Sequence, residues 1–496
     1  MTRIVTPDWV RDAVFYQIYP DTFARSDRVP KPAHLLPWDA LPSRHGYKGG
    51  NLLGVVEHLD YLLDLGINAI YFCPIFQSAS NHRYHTHDYY RVDPMLGGDS
   101  AFRELLDVAH KRGVRIVIDG VFNHASRGFF QFNDILENGL ESAYVDWFTI
   151  LDPGKPLNPY DPQAQAAAET KWPTNYACWW DLPALPEFNT DNSEVRAFLW
   201  DVATHWVALG IDGWRLDVPQ CINDEAFWQI FRERVKAVNP DAYLVGEIWH
   251  SAPEWLQGDR FDAVMNYVLN RAAQCFFGGR SLDTDAKPGG YLLEPIGAEA
   301  FAERVDEALS LYAPQVTQVQ LNLLGSHDTP RILSILGGDR DALKLCWLFL
   351  ATVPGAPCIY YGDEVGMTSV PVEGYEGRGT MSWDEAHWDT DLRDTLKRYI
   401  ALRVAHPALR RGTFATLHAS DAESVYAYLR RDDQETIVVI LNNGYAAYEP
   451  RLPVGNGWED HTALEDLLGS ATLHVRDGHI VGTPIPARSG IVLCAT

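Results

Sequence analysis

The stretch "GDSAFRELLDVAHKRGVRIVIDGVFNH", residues 98–124, sets a helix, a turn, a buried strand and a polar cluster one after another. Phe102, Leu105, Leu106 and Ala109 fall at i, i+3, i+4 and i+7, the spacing of one helical face. Ser100 suits the N-cap, and Gly113 suits the end of the helix. "RIVIDGVFN" (115–123) then reads as a short buried strand that finishes on Asp119, Asn123 and His124. Seven further apolar runs have the same character: "VFYQIYP" (14–20), "NAIYFCPIF" (68–76), "DGWRLDV" (212–218), "AYLVGEIW" (242–249), "FDAVMNY" (261–267), "TQVQLNLLGSH" (317–327) and "PCIYYGDE" (357–364). Helical patterns separate several of them. In "NSEVRAFLWDVATHWVALG" (192–210), Ser193 suits the cap, and Val195, Phe198, Leu199, Val202 and Leu209 form the stripe. Strands alternating with helices make a parallel sheet. Eight of them predict a closed (β/α)8 barrel, with a doubly wound open sheet as the alternative.

Two stretches fall outside this rhythm. The interval from 125 to 190, rich in Pro, Trp and Tyr ("NPYDPQ", "KWPTNYACWWDLPALPEFN"), is too long for one helix and its loops. It reads as an insertion after the third strand, on the barrel face where active sites lie. After about residue 405, "SVYAYLRRDDQETIVVILNNG" reads as two strands around a polar turn, and "SGIVLCAT" as another. The expected domains are a barrel (1–124 and 191–405), an inserted domain (125–190) and a C-terminal β-sandwich domain (406–496).

Composition narrows the function. The formal net charge is −25 over 496 residues, which argues against nucleic acid and anionic membranes as partners and leaves neutral ligands open. The N-terminus shows no signal-peptide pattern, and no apolar run approaches membrane-spanning length. The 7 cysteines are odd in number and scattered, mostly inside apolar runs, as reduced thiols in a cytoplasm would be. No pattern for structural zinc and no phosphate-binding glycine loop is present.

The strand ends carry the chemistry. In "GWRLDV" (213–218), Trp214, Leu216 and Val218 share one strand face, and Arg215 and Asp217 share the other. Glu247 ends the fifth strand, followed by Trp249 and His250, and His327 and Asp328 end the seventh. In a barrel these residues face one pocket with Asp119. A retaining glycosidase needs a nucleophilic carboxylate and a proton-donating carboxylic acid about 5–5.5 Å apart. Neighbouring strands lie about 4.8 Å apart, so Asp217 and Glu247 at matched heights meet that need. Arg215 is expected to keep Asp217 ionised by lowering its pKa, and the apolar neighbours of Glu247 to raise its pKa. A single Asp at a strand end more often only anchors a loop, and a carboxylate cluster can instead hold Ca²⁺ or Mg²⁺. The joint occurrence of all the clusters in barrel order favours catalysis.

Along nearly its whole length the chain resembles the α-amylase family, glycoside hydrolase family 13. The resemblance rests on "DGVFNH" (119–124), "LPEFN" (185–189), "GWRLDV" (213–218), "GEIWH" (246–250), "LLGSHD" (323–328) and "GAPCIYYGDEVGM" (355–367). It implies Asp217 as nucleophile, Glu247 as acid and then base, and Asp328 as the third carboxylate, binding sugar hydroxyls. His124 and His327 would hydrogen-bond the sugar at the cleavage point, Arg215 would place the nucleophile, and Tyr84 would stack beneath the sugar. Asp119 would organise the site. "GEIWH", "GDRFDAVMNY" and "NLLGSHDTPR" are most similar to the neopullulanase, cyclomaltodextrinase and maltogenic amylase group, where Trp249 would stack on an acceptor sugar with His250 nearby.

Departures accompany the resemblance. The first strand begins near residue 14, without the group's N-terminal β domain, and Pro219-Gln220 stands where "AN" is usual. Glu187 replaces a usual Lys. At the group's N-terminal calcium loop the chain has "RSDR" (25–28) and Asn51 in place of an Asp. No cofactor is expected to be required. Asn123 is the candidate calcium ligand that the resemblance implies. The expected activity is retaining hydrolysis of α-1,4 bonds in α-glucan oligosaccharides, in the cytoplasm. The rivals are a glucan transferase or isomerase on the same site and a non-catalytic sugar-binding protein.

Overall fold

The eight runs become the eight strands of a parallel barrel in a computed structural model that describes residues 4–155, 157–158, 174–454, 458–469 and 471–495. They are β1 (Phe15–Ile18), β2 (Ala69–Phe72), β3 (Arg115–Gly120), β4 (Gly213–Leu216), β5 (Tyr243–Gly246), β6 (Ala263–Val264), β7 (Leu321–Leu323) and β8 (Ala356–Tyr360). Each pairs in parallel with its sequence neighbour, and β1 also pairs with β8. The ring closes between β6 and β7, where Met265 bridges Leu321 and the Asn266 N–H donates to the Leu321 carbonyl at 2.8 Å. The open doubly wound alternative is thereby excluded.

Alternation along the strands sorts the side chains into two cores. Phe15, Tyr71, Val117, Tyr243, Met265 and Leu323 fill the barrel interior, whereas Ile116, Ile118, Trp214 and Leu216 face the surrounding helices. The helix Gly98–Lys111 buries the predicted face, with Phe102, Leu105, Leu106 and Ala109 each no more than 4% exposed. Its cap differs from the expectation. Gly97 occupies the N-cap, and the Ser100 hydroxyl donates back to the Gly97 carbonyl from inside the first turn. Asn192 likewise caps Ser193–Leu209 through the Glu194 N–H, in place of Ser193. In both cases the helix begins earlier than the apolar stripe alone suggests. At Gly213 a side chain is impossible, because a Cβ there would lie 2.2 Å from the Tyr243 carbonyl oxygen.

The insertion holds a helix (Phe130–Asn138) over an aromatic core. Phe132 packs on Phe148 and Tyr176 with ring centroids 4.9 and 4.8 Å apart. Most of "NPYDPQ" and the first residues of "KWPTN" lie outside the described residues. The end of the insertion returns to the barrel, where His124 pairs with Glu187 in an antiparallel bridge.

The C-terminal region is antiparallel. Val425–Arg431 and Thr436–Asn442 form the predicted hairpin, and Ser489–Ala495 adds to its second strand. Where the sequence suggested a sandwich, hydrogen bonds run through all eight strands as one sheet. Its two edge strands, Thr413–Ser420 and Leu452–Pro453, touch, folding the sheet over a core of Val438, Ile440, Leu473, Val475 and Leu493.

Candidate active site

One arginine holds the centre of the barrel's C-terminal end. Arg215 projects inward from β4, with no side-chain exposure. Its Nη1 donates to both oxygens of Asp119 at 2.9 Å and to Asp217 Oδ1 at 3.0 Å, and its Nη2 lies 2.9 Å from Glu247 Oε1. Three carboxylates from β3, β4 and β5 thus share one guanidinium. The register explains the meeting. Leu216 pairs with Gly246, so Asp217 and Glu247 are the next residues at the same height on adjacent strands.

The sharing changes the electrostatics expected from the sequence. Burial pushes the Asp217 carboxyl well above the ordinary carboxylate range, and Arg215 does not reverse this, because its charge also serves Asp119 and Glu247. Arg215 does lower the Asp217 pKa, as expected, but burial and the neighbouring carboxylates outweigh it, so the expectation that Asp217 is held below the ordinary range is corrected. Glu247 follows its expectation: burial pushes it up to about 6, against the opposing pull of Arg215. Two buried carboxylates on one cation titrate as a pair, and the proton held between them belongs to both.

Asp119 spends its oxygens on structure. Besides Arg215, it accepts from the Tyr71 hydroxyl at 3.1 Å and the Tyr84 hydroxyl at 2.9 Å. Tyr84 also lies 2.6 Å from His327 Nε2, with the two rings parallel to within 7°. Gln17 donates to His327 Nδ1 at 3.0 Å, which places the ring proton on Nε2, toward Tyr84 and Asp328 Oδ2. Burial holds His327 and His124 down to about 3, so both rings are neutral. Among the described residues His124 Nε2 is buried without a hydrogen-bond partner.

Asp328 is the most open member of the cluster, with 32% of its side chain exposed against 9% for Asp217. Its depth in the cleft pushes its pKa up. His327, Arg378 and Arg215 outweigh that and hold the carboxyl below its ordinary value. Arg378 donates to Asp328 Oδ1 and to the His327 carbonyl, each at 2.9 Å. Sequence reading missed Arg378, which lies in the loop after β8 ("GYEGRGT") with no pattern around it.

A second missed feature follows β4 and Asp217 directly. Val218 has φ 35° and ψ 51°, a left-handed conformation that a β-branched residue rarely adopts. Its N–H donates to Glu247 Oε2 at 3.2 Å, and Pro219 comes next in the chain. The unusual Pro219-Gln220 pair thus follows a strained link between the two carboxylates.

One face of Trp249 is covered by Tyr267, with centroids 3.6 Å apart, and its indole N–H donates to Glu247 Oε1 at 3.2 Å. His250 is exposed.

Two places test whether calcium fits. At the N-terminal loop, the Lys48 ammonium donates to the carbonyls of Pro37, Trp38 and Ala40, Arg25 donates to those of Lys48 and Leu36, and the Asn51 amide donates to that of Ser26. These carbonyls already face cationic or N–H donors, so a metal ion does not fit among them. At the second place, the Asn123 amide donates to Glu187 Oε1 at 3.4 Å. Among the described residues no group of three or more His, Cys, Asp or Glu side chains is arranged to hold a metal.

A carboxylate pair at matched height, a third carboxylate beside neutral histidines, and a tyrosine at the cleft base define a glycosidase-type site. The chain belongs to the α-amylase family: residues 17–413 match the family described as alpha amylase, catalytic domain. It is a glycoside hydrolase of that family. A cyclomaltodextrinase of Geobacillus thermopakistaniensis is 43% identical over 450 residues, 90% of this chain and 71% of the relative. The structure of a debranching enzyme from Nostoc punctiforme, 44% identical, superposes with a TM-score of 0.89 and covers 100% of each chain. A cyclic α-maltosyl-(1→6)-maltose hydrolase from Arthrobacter globiformis, in complex with its cyclic substrate, is 35% identical with a TM-score of 0.82 over 99% of this chain and 100% of its own. Among the described residues no helix is long and apolar enough to cross a membrane.

Proposed function

We propose that the protein is a retaining α-glucan hydrolase that cuts α-1,4 bonds in maltooligosaccharides, with cyclodextrins and pullulan as further substrates. The observation that carries this reading is the single guanidinium of Arg215 bridging Asp217 and Glu247 at matched height. Strands about 4.8 Å apart favour the short carboxylate separation of a retaining pair over the wider one of an inverting pair.

In the first step the Glu247 proton passes to the glycosidic oxygen as an Asp217 oxygen attacks the anomeric carbon. The C–O bond breaks, the shortened glucan leaves as an alcohol, and a β-glycosyl ester forms on Asp217. Glu247, now ionised, takes a proton from water, whose oxygen attacks the same carbon. The ester breaks and an α-configured product leaves. Asp328, held ionised by Arg378, accepts from sugar hydroxyls, and the open Nε2 of His124 takes part beside it. Tyr84, pinned by Asp119 and His327, underlies the sugar ring. The residues at the N-terminal loop support activity without calcium there, and the 7 free cysteines support an intracellular setting.

A second reading, cleavage of α-1,6 bonds, is favoured by the full-length match to a hydrolase of a cyclic α-(1→6)-linked maltose dimer. A timed product profile on maltotriose, β-cyclodextrin and pullulan, followed by anomeric NMR, decides. Maltose and glucose, opened cyclodextrin and initially α-anomeric ends are expected. Initially β-anomeric ends overturn the retaining mechanism. Pullulan cut only to maltotriose assigns α-1,6 action, and longer products from maltotriose assign transfer.

A further inference from the structure

We propose that Trp180 is an outer binding platform for the α-glucan chain, beyond the sugars held at the carboxylates. The inference builds on the hydrolase reading above and concerns how long chains are held.

The platform is the top of an aromatic stair. At its foot lies buried His124, whose ring is stacked on Trp179 at 5.5 Å and 26°. Trp179 is stacked in turn on Trp180 at 4.3 Å and 10°. Trp180 is 77% exposed. Three near-parallel rings therefore climb from the floor of the cleft to open solvent.

The stair approaches the reacting centre at a second point. The Trp179 side chain lies near the thiol of Cys221, in the Pro219–Cys221 turn that follows Asp217 and Val218. Asp217, Glu247 and Glu187 are close enough to act electrostatically on that thiol. A chain resting on Trp180 is thus in fixed register with the bond being cut.

Packing does not account for the arrangement. Trp180 and Asp181 both have φ of 54°, two consecutive left-handed residues that carry side chains. Each such residue carries backbone strain that the surrounding structure must offset. An exposed tryptophan returns little of that by burial, since most of its surface stays wet. What the strain achieves is orientation: the ring lies flat on Trp179 with its other side toward solvent. A glucose ring is the fitting occupant, because its C–H faces are apolar and its hydroxyls lie at the edge, free to stay hydrated. The continuity of the stair with the catalytic cleft makes that ring part of the substrate itself.

The test compares chain lengths. For Trp180→Ala, the ratio of kcat/KM on maltoheptaose to that on maltotriose should fall by about three- to tenfold, the scale of one aromatic stacking contact. The change should appear mainly in KM for the longer chain. Trp180→Tyr, which keeps a flat ring, should restore most of the ratio. Should the alanine variant fold poorly, Trp180→Gly, suited to the positive φ, provides the same comparison. An unchanged length ratio in folded ring-less variants overturns the proposal. Failure of the wild type to hydrolyse either oligosaccharide would overturn the hydrolase reading instead, so the two failures are distinct.

Discussion

The floor and the rim of the cleft are built on opposite principles. On the floor, Arg215, Asp119, Tyr71, Tyr84 and His327 are interlocked, each polar group answering another from the strands and the loops that follow them. On the rim, Trp180 stands in solvent on a strained backbone, stacked on the one ring of Trp179 behind it. The floor gains precision from satisfied charge in a medium where an unpaired charge is costly. The rim gains reach from exposure. A glycosidase needs both: fixed atoms at one carbon, and a tolerant surface along a chain of repeating units.

The contrast can be broken most forcefully on the floor. Asp217→Asn keeps the shape and the Arg215 contact but removes the nucleophile. Activity on maltooligosaccharides should fall by about four or more powers of ten while the melting temperature stays near wild type. Residual activity above a few per cent would reassign the nucleophile.

Glu247→Gln comes next. It should abolish cleavage of natural glucans yet spare the first step on substrates whose leaving group needs no proton. The pH profile sharpens this. The acid form of Glu247 is the active one, so wild-type kcat/KM should decline as pH rises through the range of Glu247, about 6, and that limb should disappear in the variant on activated substrates. An unchanged limb would place the acid elsewhere.

The smallest effect is expected at Val218. Val218→Gly relieves the left-handed strain and loosens the N–H that donates to Glu247. That donor favours the ionised carboxylate, so weakening it raises the Glu247 pKa and moves the alkaline limb to higher pH. A loss of a few-fold in kcat with no loss of stability is expected, as read from pH–rate and thermal melts. A variant with a lower melting temperature and an unmoved limb would make Val218 a packing residue only.

Most of the floor was legible in the sequence because strand periodicity fixes which residues point inward. Arg215 and Asp217 stand two apart, so they share a face whatever the rest of the chain does. Matched heights on β4 and β5 then bring Glu247 to them. The sign of the Asp217 shift was not legible, because it depends on how deeply the carboxyl is buried and on the other carboxylates beside it, properties of several strands together. Arg378 was hidden for a similar reason: it comes from a loop, where no period dictates direction. That Tyr267, at the start of the helix Tyr267–Gly278, covers one face of Trp249 was not legible either, because it depends on where that helix begins. Trp179 and Trp180 were visible as residues, but nothing in "ACWWDLP" reports that the backbone turns left-handed and stacks them.

The crowding around Arg215 also acts as a filter. Asp119, Asp217, Glu247 and Asp328 carry four acidic groups against the two guanidinium charges of Arg215 and Arg378. Even with one proton shared by the pair, the pocket remains an anionic well, set in a chain of net charge −25. A neutral glucan enters such a well without electrostatic cost, whereas a chain bearing a phosphate or uronic acid near the scissile bond is repelled before any clash of shape. On the proposed function, a preference for uncharged glucans is the expected consequence of the same shortage of positive charge that raises the pKa of Asp217 and Glu247.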